Sequence, residues 1–150
     1  MYGASTMTAT CWTATFAVLA AIGIAGAGAQ SLKIRQRMLS ETADLVKDAD
    51  YTNTVCGTAL AAKFDWSGAP AEDLLKYSPE SFCNAALEGI QRVCSDAIGK
   101  DAVRQKIKSV TCGFGTSRAI LLKDGAIDCK INFNSTNDAD FVFEYLQNNF

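Results

Sequence analysis

The sequence predicts one α+β domain: an antiparallel sheet, made of a three-stranded meander plus one further strand, packed on one face by two or three amphipathic helices. Three observations predict it. Apolar residues recur at helical spacing over 30–51, over 78–98 and near the carboxyl end. Residues 56–66 and 107–133 instead alternate apolar and polar side chains, as half-buried strands do. Asp124-Gly125 is a strong hairpin signal, because both residues tolerate the left-handed backbone of a two-residue turn.

In chain order, 30–51 forms a helix with Met38, Leu39, Thr42, Leu45, Val46 and Ala49 inward, and Arg37, Glu41, Asp44 and Asp48 outward. Cys56 to Trp66 forms a strand whose Thr58, Leu60, Ala62, Phe64 and Trp66 share a face, ended by Ser67-Gly68-Ala69-Pro70. Ala71 to Tyr77 forms a short helix burying Leu74 and Leu75. The clearest helix opens at Ser78-Pro79-Glu80: serine suits the cap, proline the first helical position, and glutamate the positive end of the dipole. Its stripe runs from Phe82 and Cys83 through Ile90 and Cys94 to Ile98, with Gly99 expected to terminate it in the left-handed conformation. Asp101 then caps a further turn.

In the meander, a turn at Asp124-Gly125 pairs Lys123 with Ala126, Leu122 with Ile127 and Ile120 with Cys129. A three-residue loop at Gly115-Thr116-Ser117 puts Val110, Cys112 and Phe114 on the same apolar face, and Arg118 near the sheet's end. Thr136 or Asn137 caps a last helix with Asp138 and Asp140 in its first turn and Phe141, Tyr145 and Leu146 inward.

Ahead of this domain, assigned to 30–150, residues 1–29 are expected to be a signal peptide. No charge precedes Lys33, Phe16 to Gly26 is an unbroken apolar run, and Ala27-Gly28-Ala29 places cleavage between Ala29 and Gln30. The run lacks a basic start, and Lys33, Arg35 and Arg37 follow it, which favours the alternative of an uncleaved, weak membrane anchor with the domain on the cytoplasmic side.

Five of the six cysteines lie in the domain. Cys83 and Cys94 are three helical turns apart and cannot bond to each other. Cys112 and Cys129, if they flank the middle strand of the meander, stand about 9 to 10 Å apart and cannot bond either. Two bridges among Cys56, Cys83, Cys94 and Cys112 are therefore expected, Cys56 taking one helix cysteine and Cys112 the other in an order the spacing leaves open. Cys129 is left as a buried thiol. The competing arrangement keeps all five as reduced core residues.

The absence of histidine removes Ser/His and Cys/His nucleophilic pairs and imidazole metal sites. A net charge of -2 argues against a nucleic-acid partner. Gly113-Phe114-Gly115 lacks the spacing of a phosphate loop, and Asn132, Asn134, Asn137, Asp138 and Asp140 lack the glycine of a calcium loop. Asp138 with Asp140, and Glu80 with Glu88, read as solvated carboxylates. Trp66, with Lys63 and Tyr77 about the Ser67–Pro70 loop, reads as core. Asn134-Ser135-Thr136 is a glycosylation acceptor pattern. The expectation is a small exported domain, periplasmic or secreted, without cofactor or metal. It acts non-enzymatically as a binding or structural accessory of another macromolecule, a protein, and touches a membrane only through an uncleaved leader. The alternative is a thiol-dependent enzyme or redox sensor using an exposed cysteine.

Overall fold

The computed structural model describes residues 24–150, with side chains from residue 31 onward. Most of the leader, 1–23, lies outside the described residues, and the expected Ala29–Gln30 cleavage position falls within the first helix. The elements run α1 (Ile24–Cys56), β1 (Ala61–Phe64), a 3₁₀ turn (Asp73–Leu75), α2 (Pro79–Val93), α3 (Ala97–Lys106), β2 (Ser109–Phe114), β3 (Ala119–Lys123), β4 (Ala126–Ile131) and α4 (Asp138–Gln147). Among the described residues, no helix is long and apolar enough to cross a membrane.

The domain is α+β, but its sheet is mixed and mostly parallel rather than an antiparallel meander. The strand order is β1-β2-β4-β3, with β1 and β4 both parallel to β2 and only β3 antiparallel to β4. The Asp124-Gly125 hairpin forms in the expected register, Ile120 opposite Cys129 and Leu122 opposite Ile127, with both turn residues at positive φ. The loop before it, 115–118, is not a hairpin. It carries β3 past the place beside β2 and leaves that place to β4. Burial explains the exchange: Ile127, Cys129 and Ile131 are all buried, whereas β3 exposes Leu121 and suits an edge.

Local pattern misjudged α1 more than any other element. It continues to Cys56, through a Tyr-Thr-Asn-Thr-Val run that favours strand. Thr52 and Thr54 return their hydroxyls to the carbonyls of Asp48 and Asp50, and the buried Thr52 accepts a hydrogen bond from Gln91 on α2 at 2.9 Å. Tertiary packing therefore overrides propensity. Gly57, at φ 65°, ends the helix, and its amide donates to Asn53. The Asn53 side chain then both donates to and accepts from the Leu60 backbone, aligning the shorter β1. The inward stripe is Leu45, Ala49, Thr52 and Cys56, while Leu39 (73% exposed) and Val46 (47%) face out.

Glu41, expected on the solvated side, is buried and joins α1 to α2. Its carboxylate accepts from Arg37 Nε at 2.7 Å, from the Ser78 hydroxyl at 2.8 Å and from the Glu80 backbone amide at 2.7 Å. Ser78 occupies the cap position, but the capping oxygen comes from Glu41 on another helix. Helix α2 ends at Val93 instead of running to Ile98, because Asp96 accepts the Gly99 amide and starts α3. Gly99 thus opens a helix rather than closing one, and Ile98 is solvent-exposed. A Cβ at residue 99 would drive into the Val93 carbonyl oxygen, far inside van der Waals contact. Gly99→Ala is expected to destabilise the domain by about 3 kcal/mol through overpacking, read as a lowered urea midpoint at unchanged slope.

Helices α1, α2 and α4 cover one sheet face. On it lie Phe64, Val110, Cys112, Ile127, Cys129 and Ile131 in a continuous core with Leu45, Leu87, Ile90, Val142 and Leu146. In α4 the buried stripe is Ala139, Val142 and Leu146, rotated from the expected one. Phe141 and Tyr145 lie half-buried beside β3. Phe141 packs under the Arg118 guanidinium at 4.4 Å. The Tyr145 hydroxyl accepts from the outward Leu122 amide at 2.9 Å and covers that point of the edge. The other edge, β1, has no such cover. Its Ala61 and Asp65 amides bond to β2, so the alternate residues Ala62 and Phe64 turn their backbone groups away from the sheet.

Candidate functional site

Two disulfides fix the helical layer to the sheet. Cys56 at the end of α1 bonds to Cys94 at the end of α2, with Cα atoms 5.3 Å apart. Cys83 in the first turns of α2 bonds to Cys112 on β2, with Cα atoms 6.0 Å apart. Cys129 on β4 is the unpaired cysteine among the described residues and is buried. One geometric expectation is corrected: Cys112 and Cys129 are on adjacent strands, directly paired in register, because β4 and not β3 neighbours β2. Burial pushes the Cys129 thiol up to about 12, helped by the negative charge of Asp128 and Asp138. An exposed cysteine among Cys56, Cys83 or Cys112, on which the alternative of a thiol-dependent enzyme or redox sensor rests, is not found, since all three are buried and disulfide-bonded.

The carboxyl ends of β1, β2 and β4 open at one side of the sheet, the place where open α/β sheets form ligand crevices. A cleft of about 530 Å³ lies there. Its wall comes from Asp73 and three segments far apart in the chain: Gly68 and Pro70 after β1, Phe114 to Thr116 where β2 ends, and Ile131 to Asn134 where β4 ends. Nothing local in the sequence announced their meeting, because it follows from the parallel strand order.

An aromatic row underlies the cleft. Phe64 packs on Trp66 at 4.5 Å between ring centroids, Trp66 on Phe114 at 5.8 Å, Phe114 on Phe133 at 5.9 Å, and Phe133 stacks on Tyr77 at 5.1 Å. Phe82 meets Phe133 edge-on at 5.3 Å. The Asn132 amide is consumed in holding the wall, donating to the Thr116 carbonyl at 2.7 Å and accepting from the Asn134 backbone at 2.8 Å. The Asp73 carboxylate, the Thr116 hydroxyl and the Asn134 side chain line the same cleft and make no hydrogen bond to the described residues. Asp73 brings its negative charge to an otherwise neutral rim. The cleft thus combines an apolar floor, a few unengaged polar groups and one charge.

A second titratable group lies apart from the cleft. Glu80, read from the sequence as solvated, is half-buried against α1. Its carboxyl is pushed up from 4.5 to about 7 by burial first, then by a hydrogen bond to Asp48 and the negative charge of Asp48, Glu41 and Asp44. A proton on Glu80 lets it donate to Asp48, whose Oδ2 is buried and otherwise without a donor. The folded state holds this proton more tightly than the unfolded chain, so the contribution is complete below about pH 4.5 and lost as pH rises through 7. Glu80→Gln is expected to raise the melting temperature relative to the parent at pH 8 and not at pH 4. Allowing for solvent screening of a half-exposed group, the gain is about 1 kcal/mol.

Among the described residues, no group of three or more cysteine, aspartate or glutamate side chains is placed to hold a metal ion. No protein-family model matches the chain, and neither does any curated protein or solved structure.

Proposed function

We propose that the chain is an exported, disulfide-stapled binding domain that takes an extended segment of a protein partner in the cleft at the carboxyl ends of β1, β2 and β4. The observation that carries this reading is the cleft itself, with its aromatic row and the unengaged Asp73, Thr116 and Asn134. The two disulfides support an oxidising compartment, where such staples persist. The open β1 edge adds backbone groups at Ala62 and Phe64 with which an extended segment can pair, the commonest way a sheet edge binds a peptide. A cleft with an apolar floor and one carboxylate suits a side chain with an apolar stem and a positive tip. The preferred segment therefore carries Lys or Arg where it passes Asp73.

Selection of randomised peptides against the oxidised protein tests the reading. Enriched segments should contain Lys or Arg. Asp73→Asn should remove that preference, and Ala62→Pro, which deletes an outward amide but no bond to β2, should weaken binding about tenfold. Failure to enrich any segment, or enrichment indifferent to both substitutions, rejects the proposal.

A further inference from the structure

Cys112 has two cysteine neighbours. One is Cys83, bonded to it from α2; the other is Cys129, opposite it in the β2–β4 ladder and on the same helix-covered face. Paired residues on adjacent strands lie about 4.8 Å apart, within the Cα separations of roughly 4.4 to 6.8 Å that a disulfide spans. The sheet therefore already holds Cys129 at bonding range of a sulfur engaged elsewhere.

We propose that Cys129 is an internal exchange thiol that converts the Cys83–Cys112 disulfide into Cys112–Cys129 when the helical layer lifts from β4. In the step, the Cys129 thiol gives its proton to solvent and the thiolate attacks Cys112 Sγ. The new S–S bond forms as the old one breaks, and its electron pair leaves on Cys83 Sγ, which takes up a proton. One disulfide is lost and one gained, so no external oxidant or reductant is required. The result releases the first half of α2 from the sheet while Cys94 still ties its end to α1.

The packed helices gate the reaction. Phe82 and Ala86 of α2 and Phe141 and Val142 of α4 line the small space beside Cys129. Asp128 and Lys130 flank it on β4, Arg118 precedes β3, and Asp138 faces it from α4. With the thiol pushed up to about 12 by burial, the thiolate is scarce at neutral pH in the closed state. Opening the layer admits water and returns the thiol toward its ordinary range, so exchange is coupled to the opening of α2 and α4.

The test uses the oxidised full chain carrying Cys11→Ser, incubated without added thiol at pH 8.5 in denaturant below the unfolding midpoint. Samples are quenched with acid, alkylated, and mapped by mass spectrometry without reduction. The expected result is a peptide linking Cys112 to Cys129 that accumulates as alkylation shifts from Cys129 to Cys83. Its rate should be independent of protein concentration and rise about tenfold per pH unit below the thiol pKa. Cys129→Ala, which fills the site with an apolar side chain, should keep the Cys83–Cys112 peptide unchanged throughout, beside that of Cys56–Cys94. Alkylation that stays on Cys129 throughout, a product joining Cys83 to Cys129, or a rate proportional to protein concentration overturns the proposal; the parent protein alone reads all three.

Discussion

Replacing Cys83 and Cys112 together with alanine is expected to lower the stability of the oxidised protein by about 3 to 4 kcal/mol. The bridge closes a 29-residue loop, and the restriction it places on the unfolded chain is of that size. The Cys56–Cys94 bridge closes 38 residues and should be worth about as much. A domain of this size has a total stability of about 5 to 15 kcal/mol, so removing both bridges should leave it largely unfolded at 37 °C. Circular dichroism against urea checks the single loss, and the same spectrum at 37 °C checks the double one. Thiol titration supplies the companion count for a protein starting at Gln30. Denatured without reductant it should show one reactive thiol, Cys129, and with reductant five. Five before reduction would return all the cysteines to the reduced-core reading.

Glu41→Ala is expected to cost about 2 to 4 kcal/mol, much more than an average surface glutamate. It removes the acceptor of the Glu80 amide and the Ser78 hydroxyl at the start of α2, and it strands Arg37, which otherwise also reaches the Tyr77 carbonyl at 3.0 Å. At pH 8 Glu41→Ala also removes one of the negative charges that burden Glu80, so it should cost less in the parent than in a Glu80→Gln background. A double-mutant cycle at pH 5 and pH 8 reads this coupling. Independence of the two substitutions at both pH values would mean that the carboxylates do not sense one another.

The contrast between what the sequence disclosed and what it hid follows the range of the interactions. Ser78-Pro79 and the Asp124-Gly125 turn act within a few residues, and both lie where local chemistry put them. The alternation of Ala62 and Phe64, and of Ile127, Cys129 and Ile131, gave the buried sheet face correctly even though the strand order was wrong. Strand order depends on which segment is apolar enough to lie centrally, and two-residue periodicity is blind to that. The α1 extension through Thr52 and Thr54 depended on Gln91 and Cys94, some forty residues away. The cleft was harder still. Phe114 and Asn132 read as residues of the meander strands and Asn134 as part of the approach to the last helix, and only the parallel arrangement of β2 and β4 brings them to one place.

The two rims of the sheet are not equivalent. Tyr145 accepts from the outward Leu122 amide on β3, while among the described residues the outward Ala62 and Phe64 amides of β1 have no hydrogen-bond partner. A strand added beside β3 would have to displace the Tyr145 hydroxyl from the Leu122 amide, whereas one added beside β1 would break no hydrogen bond among the described residues. Edge-to-edge pairing of two copies through the β3 side therefore carries a cost that pairing through β1 does not. The phenol on α4 thus biases the sheet toward growth on its β1 side.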